Sequence, residues 1–171
     1  MKKNILLGLL ISVAFIISSC DSSDKKENSD TKGPVPKEMA DKINNLEKEI
    51  MGDFNEQKVE ELIDLCLEYE KQFPKDSLVP AFLFKAATNY SYLAKPYEAI
   101  KYYDKVYKQY PDYERAPLCL FHKAGVFADF LNDTAKARVL ATEFIEKYPD
   151  HKLVEDAKLF IQNLGKSIEE L

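Results

Sequence analysis

An aromatic-proline step recurs in this chain. "KQFPKDSLVP", "KQYPDYERAP" and "EKYPDHKLVE" place Pro74, Pro111 and Pro149 at intervals of 37 and 38 residues. Anchored on Pro111, the preceding residues include Leu83, Ala86, Ala87, Tyr90, Ala99, Tyr103 and Val106. Anchored on Pro149, the same spacings give Phe121, Ala124, Gly125, Ala128, Ala137, Ala141 and Phe144. Such a period requires stacked copies of one small unit, because no single unit buries its apolar face alone. Small residues at Ala87/Gly125 and Ala99/Ala137 are expected to let two helices approach closely, with large residues filling the gaps between them. Proline then ends the second helix, since it lacks a donor N–H and biases the preceding residue away from the helical region.

Flanking segments extend the pattern. Pro74 closes a degenerate copy with Leu62, Cys66 and Tyr69 in its second-helix slots, and Ile43, Leu46 and Ile50 give the first helix a stripe. Gly52-Asp53 reads as a helix stop. Downstream, Leu153, Ala157, Phe160, Leu164 and Ile168 mark one more amphipathic helix, unpaired and charged outside, as an array cap must be. The periodicity predicts helices over 37–51, 56–72, 78–93, 96–109, 115–131, 134–147 and 152–168, and no strand. Pro80, Pro96 and Pro117 fall in first turns, and Asn132 or Asp133 caps the sixth helix.

These slots resemble the tetratricopeptide repeat, W-x2-L-G-x2-Y…A-x3-F…P, with Leu83 and Phe121 standing for Trp. The resemblance implies an all-α, right-handed α-solenoid of tetratricopeptide-like helix hairpins: about seven helices, plus a signal-peptide helix. Three or four residues inserted after each proline resemble the repeats of outer-membrane assembly lipoproteins (the BamD type) and of the cell-division coordinator of the Tol-Pal system. The former usually has about five repeats, and the latter has a coiled-coil head that this chain lacks.

The N-terminus reads as an address. Lys2 and Lys3 precede an apolar run from Ile5 to Ile17, too short for a comfortable membrane span and suited to a signal peptide. Ile17-Ser18-Ser19-Cys20 resembles the lipobox of bacterial lipoproteins, which implies cleavage after residue 19 and acylation of Cys20. Multiple acyl chains anchor stably where one does not. Residues 20–36 follow as a tether, and the 16 residues of "DSSDKKENSDTKGPVP" give a reach of about 20–25 Å. They have no apolar residue before Val35 and so are expected to be disordered. Residues 37–171 form the repeat domain. The expected location is the bacterial cell envelope, lipid-anchored, at the outer membrane on its periplasmic or surface face. Asp21 fits inner-membrane retention in some bacteria and surface export in others.

Chemistry is sparse. His122 and His151 lack metal-ligand spacing, and no phosphate-binding loop or nucleophile elbow is present. Cys119 and His122 lie one helical turn apart, but neither an orienting group nor an oxyanion hole accompanies them. The chain therefore reads as no enzyme, without metal or cofactor. Cys66 and Cys119 read as small hydrophobes, with a disulfide as the alternative in an oxidising compartment. A net charge of −5 without dense basic blocks argues against nucleic acid.

Surface remains. By the resemblance, first-helix positions between the packing slots line a groove: Phe84, Thr88, Ser91, Tyr92, His122, Val126, Asp129 and Phe130, with Ala81 and Cys119 beside them. The set mixes aromatic and polar residues without Lys or Arg, which suits a helix or extended peptide with apolar anchors. The alternative for Phe84, Tyr92 and Phe130 is packing against neighbouring helices. Along the fourth helix, Tyr103, Tyr107 and Tyr110 read as core and Tyr102 as exposed. The expected function is a membrane-anchored adaptor that binds other envelope proteins or peptides, in outer-membrane assembly, secretion or envelope maintenance. The alternative is a lipoprotein capturing a peptide or glycan in the groove.

Overall fold

The computed structural model describes residues 35–166. The expected signal peptide, Cys20, most of the tether and Ile168 lie outside the described residues. Among the described residues seven helices follow one another: α1 (Pro36–Gly52), α2 (Glu56–Gln72), α3 (Val79–Tyr92), α4 (Pro96–Gln109), α5 (Leu118–Asp129), α6 (Thr134–Lys147) and α7 (Val154–Asn163). Each packs chiefly on its neighbours in sequence, so α1–α2, α3–α4 and α5–α6 are hairpins and α7 lies on α6. No strand occurs among the described residues, and none of their helices is long and apolar enough to cross a membrane.

The recurring proline step has one geometry three times over. Phe73, Tyr110 and Tyr148 are the C-caps of α2, α4 and α6, with φ of −127°, −130° and −131° and ψ of 55°, 58° and 56°. Each donates its N–H to the carbonyl four residues back, on Tyr69, Val106 and Phe144. Each then accepts from the residue three ahead, Asp76, Tyr113 or His151. The intervening proline has no N–H to continue the helix, so the chain turns. Lys71, Lys108 and Lys147 occupy the last turns of the same three helices, where a cation is favoured by the helix dipole.

Inside each complete hairpin the turn is also repeated. Ala94 and Asn132, 38 residues apart, both adopt φ of 51°. Asn tolerates this left-handed region and Ala pays a steric penalty there. Asp133 then caps α6 by accepting from the Lys136 N–H at 2.8 Å, and Asn55 caps α2 through Lys58 at 3.1 Å.

Three expectations about this framework need correction. α5 begins at Leu118 instead of residue 115, and Pro117 is its N-cap residue, outside the first turn. Ala116, Leu118 and Cys119 instead donate to the carbonyls three residues back, making a run of tight turns. α7 ends at Asn163, with Gly165 at φ 83° closing it, so the longer helix is not formed. Gly125 is not demanded by close approach: a Cβ there would meet only the Asp129 carboxylate, at 3.9 Å.

The core forms two apolar clusters that meet at α5. The larger runs from Ala40 to Val126 and includes Ile43, Leu62, Tyr69, Leu83 and Tyr103. The smaller holds Leu120, Ala124, Leu140, Ala141, Phe144, Val154 and Ala157. Ala86, Ala87, Ala99, Ala124 and Ala137 are all fully buried, as expected of the small slots, and so is Ala141, which stands where the preceding repeat has Tyr103. Ion pairs cross between helices at Glu47–Lys85, Glu70–Lys105 (2.5 Å) and Asp104–Lys123. Burial alone would raise the Asp104 pKa, but Lys123 and Lys108 outweigh it and hold the carboxyl below its ordinary value.

Candidate functional site

The first helices of successive hairpins, α3 and α5, stand side by side with α1 before them and α7 after. Their shared face carries two adjoining grooves. The first, about 840 Å³, lies between α1, α3 and the α4–α5 connection, and Met51, Phe54, Leu78 and Tyr92 line it. The second, about 470 Å³, lies between α3, α5 and α7. Thr88 and Tyr92 border both, so the two are continuous.

Seven of the eight residues read from the sequence line the second groove: Thr88, Ser91, Tyr92, His122, Val126, Asp129 and Phe130. Their roles there differ. Tyr92 is 71% exposed and Phe130 41%, so these rings are available, whereas Val126 is buried and forms floor. Phe84 borders the first groove but is itself buried. Its ring meets Tyr103 at 5.6 Å and His122 at 5.4 Å, both edge to face, so it acts as a wedge between hairpins. For Phe84 packing therefore outweighs groove exposure.

The polar atoms of the second groove are held in place. The Thr88 hydroxyl donates to the Phe84 carbonyl and stands 3.1 Å from the Tyr103 hydroxyl, while Ser91 donates to the Ala87 carbonyl. Burial pushes the Tyr103 phenol up to about 12 despite these partners. His122 stacks on Tyr103 at 5.5 Å and keeps one exposed edge. Desolvation by its packed faces, then the Arg115 cation, lowers its pKa below the ordinary 6.5.

The sequence-derived set reaches the first groove at Ala81, Phe84, Thr88 and Tyr92 but lacks its α1 side and its charges. Lys85 and Arg115 both line it, against the expectation of a face without Lys or Arg. Lys85 is occupied by Glu47, and Arg115 lies near its neighbour Glu114 (3.8 Å) and over the Phe84 ring. An out-of-stripe apolar pair, Met51 and Phe54, was the available signal. Tyr102 is half-buried and stacks on Tyr90, while Tyr97, 73% exposed, is the open ring of α4.

Cys119 is fully buried instead of facing the groove, and both it and Cys66 are free thiols. Burial pushes each thiol up to about 12, which leaves almost no thiolate for attack. The lowered His122 pKa likewise works against a thiolate–imidazolium pair at Cys119 and His122. In a Cys20→Ala variant at pH 8, both thiols are expected to react with a disulfide reagent only as fast as the protein unfolds. Rapid reaction of either in the native state would contradict their burial. Among the described residues no group of three or more His, Cys, Asp or Glu side chains is placed to hold a metal.

Residues 81–113 and 119–151 match the tetratricopeptide repeat family. Each match runs through one hairpin and the turn that ends it: α3–α4, then α5–α6. The two central hairpins are thus tetratricopeptide repeats, and α1–α2 and α7 continue their packing on either side. No curated protein matches the chain.

Proposed function

We propose that this tetratricopeptide repeat protein is an adaptor that holds an apolar segment of a partner protein along its continuous groove, tethered to a bacterial envelope membrane through a lipid on Cys20. Tetratricopeptide repeats are protein-interaction scaffolds, and the observation that carries the reading is where the exposed apolar residues lie. Among the described residues, Met51, Phe54, Leu78, Tyr92 and Phe130 border one or other groove, while Tyr97, Val139 and Leu159 are the remaining large apolar residues that are exposed. Exposed apolar side chains gathered on one concave strip mark an interaction site, whereas scattered ones do not. The strip also runs past Thr88 and Tyr92 into a second groove, which fits a helix or extended peptide better than one small ligand.

The envelope setting rests on the leader, the lipobox-like Ile17-Ser18-Ser19-Cys20 and the polar tether. An adaptor in outer-membrane assembly, secretion or envelope maintenance is the role that combines these features with the groove. The test is crosslinking in native membranes with photoreactive residues at Tyr92 and Phe130. Stoichiometric protein adducts are expected from both positions, and adducts found equally from the opposite face at Val139 would sink the groove assignment. Cys20→Ala is expected to move the protein from the membrane to the soluble fraction or to arrest it as a precursor. An unchanged, processed membrane form would refute the lipid anchor.

A further inference from the structure

The two halves of the groove differ in charge. The first contains Lys85, Arg115, Glu47 and Glu114, each with an opposite charge nearby. No Lys or Arg lines the second, burial and the nearby Arg115 disfavour a charge on its histidine, and Asp129 is its one acidic side chain. Among the described residues Asp129 is exposed and forms no ion pair. The glycine one turn earlier, Gly125, leaves the near side of its carboxylate uncovered.

The position of Asp129 is unfavourable for its own helix. It is the last residue of α5, where the partial negative charge of the helix end repels a carboxylate. α2, α4 and α6 each carry a lysine in that turn, whereas α5, like α1, α3 and α7, has no basic residue there to offset the carboxylate. A residue that breaks a local rule without a compensating contact in its own fold is expected where function supplies the contact. Two exposed aromatic rings, Tyr92 and Phe130, border the same groove, and aromatic faces attract cations.

We infer that the groove between α3, α5 and α7 receives a basic side chain, lysine or arginine, from the partner polypeptide, its charge facing Asp129 and its neighbouring apolar residues lying on Tyr92 and Phe130. This rests on the groove being the binding face and specifies what binds there. The carboxylate is the device for selectivity: an acidic segment of similar shape would be repelled from a site with no cation to receive it.

The experiment pans a phage-displayed library of randomised dodecapeptides on the full chain in detergent, beside Asp129→Asn, Asp129→Lys and the double variant Tyr92→Ala/Phe130→Ala. Peptides selected by the unaltered chain are expected to share a Lys or Arg flanked by apolar residues. Their affinity should fall about twofold to fivefold in Asp129→Asn, the scale of one exposed charge pair, with the contact to the two rings retained. Asp129→Lys should select acidic peptides instead. Peptides that depend on Tyr92 and Phe130 but show no basic preference would overturn this inference and leave the groove reading standing. No selected peptide, or peptides indifferent to the two rings, would remove both.

Discussion

Phe144→Ala is expected to destabilise the protein by about 3–5 kcal/mol, the cost of emptying a large aromatic site in a packed core. Phe144 is fully buried and its ring meets Phe121, Tyr148 and His151 at 5.6, 6.0 and 5.1 Å. It is the largest fully buried side chain of the smaller apolar cluster, which also holds Leu140, Val154 and Ala157. Whole domains are typically stable by about 5–15 kcal/mol, so the loss is a large fraction of the total. Repeat arrays couple mainly through nearest neighbours. The damage should therefore appear first as faster amide exchange in α6 and α7, with α1–α4 protected until higher denaturant. A urea midpoint unchanged from the parent would show that this cluster does not hold the C-terminal helices.

The second large effect is on binding. Tyr92→Ala and Phe130→Ala should each weaken partner capture by about 2 kcal/mol or more, near thirtyfold, if these rings are the anchors of the interface. Both rings are exposed, so the thermal stability of either variant should stay within about 0.5 kcal/mol of the parent. Titration of the crosslinked partner against each variant, with circular dichroism of the same samples, separates the two quantities. Full affinity in the double variant would locate the binding face elsewhere, and an unfolded variant would refute the exposure that defines the groove.

The hairpins were legible because their spacings are set by steric slots that few residue types satisfy. Ala87, Ala99, Ala124 and Ala137 are small where helices touch, and Pro111 and Pro149 stop what precedes them, so the register could be counted. That register in turn placed Tyr92, His122 and Phe130 on one face. The start of α5 was less readable because Ala116 and Pro117 sit in tight turns whose composition is as helical as a first turn. The rest of the first groove was hidden for a different reason. It is assembled from the degenerate α1, the α1–α2 turn at Phe54 and Arg115 in the α4–α5 connection, which no repeat spacing relates. Burial of Lys123 beside Asp104 was equally invisible, since a lysine in a charged helical sequence reads as solvated until its partner is located.

The meeting of the two apolar clusters at α5 gives the groove a mechanical meaning. Thr88, Ser91 and Tyr92 come from the side of the larger cluster, whereas Leu153 and Phe160 belong to the margin of the smaller one. A partner segment lying between them, as proposed, would act as a fastener across the seam. Because it would bind the closed arrangement and not one with α7 detached, its occupancy raises the stability of the C-terminal helices by mass action, about 2.7 kcal/mol at a hundred times the dissociation constant. Amide protection in α7 would then be a gauge of whether the proposed groove is occupied.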